Sequence, residues 1–350
     1  MLRLVYRSYG GENWKNRPSY YSKRMALLSF IRAAEAVAAT GFGIDVIFVN
    51  DGPVPDPIQE LQRGIGRIVE LPQVGLRGSY VFGLRTPEIL GWADDDLVWF
   101  SEDDYLYQAH ALTNLVAAAA AMPAADYFAL YGFVYGQLPD SQMPPRPRGW
   151  QPAVAGTVEG VRWERILSTT SSFGGRAGAL KADYGIFRFC MVPHKNMFRD
   201  HDTCVVVQGF EPHRYSTLAR SVVSPAGRSA KEWVRDTSLL PFLVATNLRA
   251  HRKLANRRLF VAAVPNLATH LESDKLAPGT AWDEVAAGVE AWAAERGERV
   301  DGARVDGAAG PGGNHMITLP QGVPLAEAPR PVQLPVRPVV PTTRFLNATG

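Results

Sequence analysis

The first 135 residues alternate between short apolar runs and longer segments in which apolar residues recur at helical spacing. The apolar runs have the profile of buried strands and lie at residues 2–6, 44–49, 67–71, 97–101 and 127–135. The segments between them predict helices, from Ser19 or Ser22 to about Thr40 and at 58–63, 79–91 and 110–122. This alternation predicts an α/β fold with a mixed, mostly parallel sheet and helices on both faces.

The pattern is less regular after Gln137. Residues 138–160 are rich in Pro and Gly and predict a loop or lid. A helix at 239–253 with Pro241 in its first turn, a strand at 259–264 and a helix at 280–296 follow. Beyond residue 297 the chain is rich in Gly, Ala and Pro and predicts a flexible or extended tail. We therefore expect two halves of one domain, 1–137 and 138–296, and a tail at 297–350.

Composition narrows the class of protein. The 350 residues are 46% hydrophobic and 20% charged, which is typical of a soluble globular chain. A net charge of only +3 does not indicate a strongly basic surface of the kind that binds nucleic acid. Cys190 and Cys204 form no CxxC pair, so we expect reduced thiols and a cytoplasmic protein. No apolar run reaches about 18 residues, so we expect no membrane span.

The most informative stretch is an apolar run that ends in three consecutive acids, Glu102-Asp103-Asp104. Adjacent carboxylates repel one another and are tolerated together when a divalent cation lies among them. In open α/β sheets, ligands bind at the carboxyl ends of strands, where this triplet is predicted to lie. Asp51 follows another strand in a turn before Gly52 and Pro53. A second acidic run, Asp94–Asp96, precedes its strand and predicts a solvated turn at the opposite edge.

Three motifs in this order resemble the nucleotide-sugar half of GT-A fold glycosyltransferases, closest to the large family-2-like group. They are Phe48–Gly52, Gly75–Ser79 and Trp99–Asp104. The resemblance implies a nucleotide-sugar-binding half at 1–137 and an acceptor-binding and catalytic half at 138–296. Its metal-dependent members use a hard cation, Mn²⁺ or Mg²⁺, to stabilise the leaving diphosphate.

The resemblance assigns roles to matching positions. It implies that Asp51 contacts the base or ribose, and that an early polar loop beginning at Arg7 flanks the base. The nucleotide and its phosphates would contact Arg77 and Ser79, with Glu102 and Asp103 beside the ribose. The metal ligands would be Asp104, Glu102 as a second contact, and His270 after the late strand. Each residue also has a structural interpretation, such as a turn former, a surface charge or a hydrogen-bonded loop histidine.

The acceptor hydroxyl requires a general base if the reaction inverts the anomeric centre. The resemblance places Asp202 in that register, with Asp200 as the close competitor and an ordinary helix cap as the structural alternative. A carboxylate at a helix N-terminus is stabilised as the anion, which suits a base. Ser172, in a Gly/Ser-rich segment that resembles the family's acceptor-side turn, and Trp233, as a sugar-stacking platform, would bind the acceptor.

The sequence therefore predicts a metal-dependent glycosyltransferase that moves a sugar from a nucleotide-sugar donor to a hydroxyl acceptor. The sequence leaves three points open: whether the reaction inverts or retains the anomeric configuration, whether the donor is of the UDP or the GDP type, and whether the protein forms a homo-oligomer. One alternative is a sugar-phosphate nucleotidyltransferase, although Glu12 follows Gly10-Gly11 where such enzymes carry basic residues. Another alternative is a non-catalytic carbohydrate- or nucleotide-binding protein of the same fold.

Overall fold

A computed structural model of the chain describes residues 1–298 apart from 13, 15, 135–142, 192–198 and 224–228. The strands are β1 (Leu2–Tyr9), β2 (Ile44–Asp51), β3 (Arg67–Leu71), β4 (Leu97–Glu102), β5 (Tyr105–Tyr107), β6 (Tyr127–Ala129), β7 (Gly132–Phe133), β8 (Val154–Val158), β9 (Val161–Arg165), β10 (Ser168–Thr169), β11 (Gly174–Arg176), β12 (Phe260–Val264) and β13 (Ala268–His270). The helices are α1 (Lys23–Ala39), α2 (Asp56–Ile65), α3 (Gly75–Ile89), α4 (Ala111–Ala121), α5 (Ala177–Cys190), α6 (Asp200–Val207), α7 (Tyr215–Val223), α8 (Ala230–Ser238), α9 (Leu240–Ala250) and α10 (Trp282–Glu295). The predicted tail lies almost wholly outside the described residues.

A central sheet of nine described strands has the order β3-β2-β1-β4-β11-β6-β12-β9-β8. Strands β3, β2, β1 and β4 pair in parallel, as do β6 and β12. Only β11 and β9 run against the other strands of this sheet. The predicted α/β class with a mixed, mostly parallel sheet is confirmed, and strands from both predicted halves join in one sheet.

The two faces of the sheet bury separate hydrophobic clusters. Leu4 and Tyr6 of β1 point into one cluster, with side chains of α1, α4 and α10. Val5, between them, points into the other cluster, with side chains of α3, α5 and α6. Successive side chains of a strand point to opposite faces, so a continuous apolar run is buried on both sides. The predicted helices on both faces are therefore present.

Two local predictions about helix starts are confirmed. The Ser22 side chain accepts a hydrogen bond from the Met25 backbone N–H at 2.9 Å, which makes Ser22, not Ser19, the N-cap of α1. Pro241 lies in the first turn of α9, where a backbone N–H would have no acceptor within the helix, so proline removes no hydrogen bond there.

Other boundaries differ from the prediction. Strand β1 continues to Tyr9, so Arg7 lies in a buried strand and not in a loop, because its backbone pairs with both β2 and β4. The predicted strand at 127–135 is divided into β6 and β7, which belong to different sheets. The predicted lid at 138–160 lies partly outside the described residues. Its second part is packed, because Trp150 is fully buried and β8 pairs with β9.

The acidic run before β4 is only partly solvated, contrary to the prediction. Asp94 is exposed and pairs with Lys181, but Asp96 is buried. The Asp96 carboxylate binds the Met1 amino group at 3.3 Å and Arg3 Nε at 3.0 Å. These cations make burial of the carboxylate tolerable.

The two cysteines are free and buried, as expected of small apolar side chains. Within the described part of the chain, no helix is both long enough and apolar enough to cross a membrane.

Candidate active site

The candidate site lies where β1, β2 and β4 end at the same edge of the sheet. The parallel register places Arg7 of β1 beside Glu102 of β4, and Tyr9 of β1 beside Asp51 of β2. Side chains that are far apart in the sequence lie close together here, because the carboxyl ends of neighbouring parallel strands lie at the same edge of the sheet.

The connections that follow these strands are close to one another. A Cβ atom added at Gly10 would lie 2.0 Å from the backbone oxygen of Pro53, so only glycine permits this approach. Asp51 Oδ1 accepts a hydrogen bond from the Val74 backbone N–H at 2.6 Å, directly before α3. Asp51 therefore anchors the start of α3, and its predicted contact with a base or ribose stays a prediction.

Both carboxylate oxygens of Glu102 are bound. Arg7 Nη2 lies 2.5 Å from Oε1, and Ser171 Oγ donates to Oε2 at 2.7 Å. The Glu102 backbone N–H donates to Ser172 Oγ at 3.1 Å. Ser172, predicted to bind an acceptor, thus holds the backbone of the acid triplet.

The buried Arg7 side chain connects Glu102 to the first turns of α3. Its Nη1 donates to Ser79 Oγ at 3.1 Å and to the Leu76 carbonyl at 3.3 Å, and its guanidinium carbon lies 5.2 Å from the Tyr80 ring centroid. Arg77, in the same turn, is exposed. A buried cation and an exposed cation therefore flank the N-terminus of α3, which is itself favourable to anions.

Asp103 is bound by the first turn of α1. Lys23 Nζ lies 2.7 Å from Oδ2, and the Tyr9 backbone N–H donates to the same oxygen at 3.1 Å. Lys23 Nζ also donates to the Tyr9 carbonyl at 2.5 Å. Burial raises the pKa of Asp103 to about 6, although Lys23 opposes the increase.

Asp104 contacts both an arginine and a histidine. Arg17 Nη2 lies 3.1 Å and His270 Nε2 lies 3.2 Å from Oδ2. His270 is brought here because β13 pairs with β5, with His270 opposite Tyr105. Burial alone would raise the pKa of Asp104, but His270 and Arg17 together hold it below its usual range.

The described side chains do not fit a ready-made cation site. Asp104 and His270 are together, but both oxygens of Glu102 are engaged with Arg7 and Ser171. No group of three His, Cys, Asp or Glu side chains in the described ranges is arranged to hold a metal ion. The expected Mn²⁺ or Mg²⁺ stays a prediction, and no reaction step is derived from it.

The two aspartates of α6 have different environments. Asp202 is buried, and its Oδ2 lies 3.1 Å from Arg199 Nη1 and 3.2 Å from His213 Nε2. Burial opposes ionisation of Asp202, but His213 and Arg199 lower its pKa overall. Asp202, the preferred base in the sequence prediction, is therefore already bound by Arg199 and His213.

Asp200 is partly buried, and within the described part of the chain its carboxylate has no hydrogen-bond partner. Burial and the negative charge of Glu102 raise the pKa of Asp200 to about 7, and Arg7 partly offsets them. Of the two candidate bases, Asp200 is the one whose charge interacts with Glu102 and Arg7.

One segment, residues 166–172, contacts both α6, which carries Asp200, and Glu102. His201 Nδ1 is 2.9 Å from the Leu167 carbonyl, and Gln208 Nε2 donates to the Ile166 carbonyl at 2.9 Å, which fixes α6 on this segment. Ser171, a few residues later, binds Glu102. Residues 166–172 therefore link α6, which carries Asp200, to Glu102 of the acid triplet.

Two residues of the site, Arg17 and Lys23, were not predicted from the sequence, and Ser171 was predicted only as part of the Gly/Ser-rich segment that contains Ser172. A signal existed for Lys23, because it directly follows the capping Ser22 and so had to lie at the start of α1, near the sheet edge. Trp233 lies on α8, which packs against α7 and α9. Its predicted contact with an acceptor stays a prediction.

No protein-family model matches this chain, and no curated protein matches it in sequence. Similar solved structures include S. aureus TarS 1-349, at 12% identity and a TM-score of 0.33, covering 75% of this chain and 57% of that chain. TarS 1-349 in complex with UDP-GlcNAc matches at 13% identity and a TM-score of 0.34, covering 58% and 52%. A 4-diphosphocytidyl-2C-methyl-D-erythritol synthase matches at 12% identity and a TM-score of 0.31, covering 53% and 79%.

The chain thus spans about half the length of the TarS structures that it matches. Likeness of this degree defines no activity, because related folds host unrelated functions.

Proposed function

We propose that this protein is a glycosyltransferase with a GT-A-like fold. It transfers a sugar from a nucleotide-sugar donor to a hydroxyl acceptor by direct displacement, with Asp200 as the general base. The observation that carries the proposal is that Asp200, at the start of α6, interacts with the charge of Glu102 at the carboxyl edge of an open α/β sheet, where burial and Glu102 raise the pKa of Asp200 to about 7. A group that titrates near neutral pH suits proton transfer, and this edge is where such sheets bind nucleotides.

The donor diphosphate would bind at the N-terminus of α3. Backbone N–H groups in the first turn of a helix are free to bind anions, and Arg77 adds an exposed guanidinium. Asp51 and Arg7 fix this turn through Val74, Leu76 and Ser79. A fixed anion site stabilises the negative charge that develops on the leaving diphosphate.

The acceptor hydroxyl would lose its proton to Asp200 as its oxygen attacks the anomeric carbon. Asp200 suits this role better than Asp202, because Asp202 is already bound by Arg199 and His213. The ion pair of Asp202 would instead hold α6 in place. In a direct displacement the acceptor oxygen attacks from the side opposite the leaving diphosphate, so the configuration of the anomeric carbon is inverted.

The proposal predicts that one nucleoside diphosphate stabilises the protein. In thermal unfolding with UDP, GDP, CDP or ADP, a ligand at about 100-fold its Kd adds roughly 2.7 kcal/mol to the free energy of unfolding. Replacing Arg77 by alanine removes a charge-assisted phosphate contact and weakens this binding by about tenfold or more. Arg85→Ala is the matched control, because Arg85 is an exposed arginine near the other end of the same helix, paired with Glu88.

Stabilisation by none of the four diphosphates would refute nucleotide-sugar binding. Equal weakening by Arg77→Ala and Arg85→Ala would refute the assignment of the phosphate site to the start of α3. Release of pyrophosphate from a nucleoside triphosphate and a sugar phosphate would identify a nucleotidyltransferase instead.

The base assignment predicts the pH dependence of the reaction. Only the ionised form of Asp200 accepts a proton, so release of nucleoside diphosphate from the donor should accelerate as pH rises through about 7 and then level off. In Glu102→Gln, loss of the neighbouring negative charge should move the midpoint to lower pH. The measurement is kcat against pH for both proteins, and an identical midpoint would argue against Asp200 as the base.

A further inference from the structure

We propose that three basic side chains, Arg7, Lys23 and Arg17, occupy the place of a divalent cation around the acid triplet, so that nucleotide binds without added metal. Each acid has its own partner: Arg7 with Glu102, Lys23 with Asp103 and Arg17 with Asp104. The formal charges of the three pairs cancel. The repulsion that made a metal attractive at this strand end is therefore relieved by the chain itself.

Arg17 is the critical member, because it contacts the carboxylate best suited to bind a metal. Its Nη2 lies 3.1 Å from Asp104 Oδ2, and its Nη1 donates to the Leu271 carbonyl at 2.7 Å. Its guanidinium carbon lies 4.3 Å from the centroid of the Tyr21 ring, a cation–π distance. The buried guanidinium is thus held on three sides and is not a mobile surface charge.

The other two cations are held as firmly. Lys23 Nζ binds Asp103 and the Tyr9 carbonyl and lies 3.6 Å from the centroid of the Tyr9 ring. Arg7 binds Glu102, Ser79 and the Leu76 carbonyl. Both side chains are buried, where charge interactions are screened less than at the surface.

A divalent cation would meet two obstacles at Asp104 and His270. It would have to displace Arg17 from the Asp104 oxygen, and it would be repelled by every basic side chain that stayed. Histidine and carboxylate are reasonable ligands for Mn²⁺, so the obstacle is the position of Arg17 and not the chemistry of the ligands. Removing Arg17 should therefore create a metal site that the native protein lacks.

The direct test is Mn²⁺ binding by the protein alone, followed by the loss of the electron paramagnetic resonance signal of free Mn²⁺. Wild type, Arg17→Met, Asp104→Asn and the double variant Arg17→Met/Asp104→Asn are titrated without nucleotide, and Arg85→Met serves as a surface control. We expect Arg17→Met to bind Mn²⁺ at least about tenfold more tightly than wild type, because a full positive charge beside the ion is removed. The double variant should lose this gain, and Arg85→Met should behave as wild type.

Two results would overturn the proposal. One is stoichiometric Mn²⁺ binding by wild type that Asp104→Asn abolishes, since the native triplet would then be a metal site. The other is an Arg17→Met protein that unfolds normally with heat yet gains no affinity for Mn²⁺. If Arg17→Met fails to fold, the wild-type and Asp104→Asn titrations still decide the question.

A second measurement rests on the proposed function. The nucleoside diphosphate that stabilises the protein should raise its melting temperature equally in EDTA and in Mn²⁺. Stabilisation only with Mn²⁺ would overturn the metal-free proposal and leave nucleotide binding intact. Absence of stabilisation in both conditions would instead refute the proposed function, while the titrations without nucleotide would still test Arg17.

Discussion

Replacing Asp200 with asparagine should lower the rate of transfer by about 10²–10⁴-fold, the usual contribution of a general base. Asparagine has nearly the same shape but accepts no proton at neutral pH. Binding of the diphosphate should be unchanged, since asparagine keeps the size of the side chain and the proposed phosphate contacts are Arg77 and the first turn of α3. The measurement is release of nucleoside diphosphate from the donor sugar, with stabilisation by the diphosphate recorded on the same protein.

Asp202→Asn is the comparison variant. Removing the Asp202 charge weakens the contacts with Arg199 and His213 and should lower the melting temperature. The folded fraction should still catalyse transfer, because Asp202 is not the base. Full activity of Asp200→Asn together with loss of activity in Asp202→Asn would return the base assignment to Asp202. Full activity of both variants would favour a non-catalytic binding protein.

Asp183→Asn should destabilise the protein by about 3–5 kcal/mol, because it removes one partner of a buried ionic cluster. The Asp183 side chain is fully buried and binds Arg252 and, at 2.8 Å, Arg258 Nε. Its Oδ2 also accepts a hydrogen bond from Tyr127 Oη at 2.9 Å. Without this carboxylate Arg252 loses its counter-charge inside the fold, and Arg258 keeps only Asp126. The free energy of unfolding in urea measures the loss.

Asp94→Asn is the matched control, because the Lys181 partner of Asp94 belongs to α5, the helix that carries Asp183. The Asp94 side chain is 80% exposed, so its ion pair is screened by water. We expect a change within about 1 kcal/mol, as is typical of surface pairs. A loss below about 1 kcal/mol in Asp183→Asn would show that the buried cluster adds little to stability.

Much of the fold follows from local pattern. The buried strands β2, β3 and β4 begin at the residues where their apolar runs begin, and Ser22 caps α1 as its hydroxyl predicts. The break between β6 and β7 was not predictable in this way. One apolar run covers both, and only pairing with different strands separates them.

Part of the site could be predicted from the sequence, because parallel strands bring their carboxyl ends together. This reasoning placed Glu102 and Asp51 at one edge, and the family resemblance added His270 near Asp104. The cations that bind Asp103 and Asp104 could not be predicted from the sequence. Arg17 and Lys23 are separated from Asp104 and Asp103 by 87 and 80 positions, and no local pattern encodes these pairs.

By itself, the sequence determined the α/β alternation and the strand end that carries the acids, while the helix start at Asp200 and Asp202 came from the family resemblance. The tertiary structure alone decided that Asp200, and not Asp202, interacts with the charge of Glu102, and that each acid of the triplet has an internal cation. The physical reason is that residues two apart on a helix point to different faces, so the packing of α6 on residues 166–172 selects one of them. Charge pairing across the fold depends in the same way on how helices and loops pack, and not on any run of neighbouring residues.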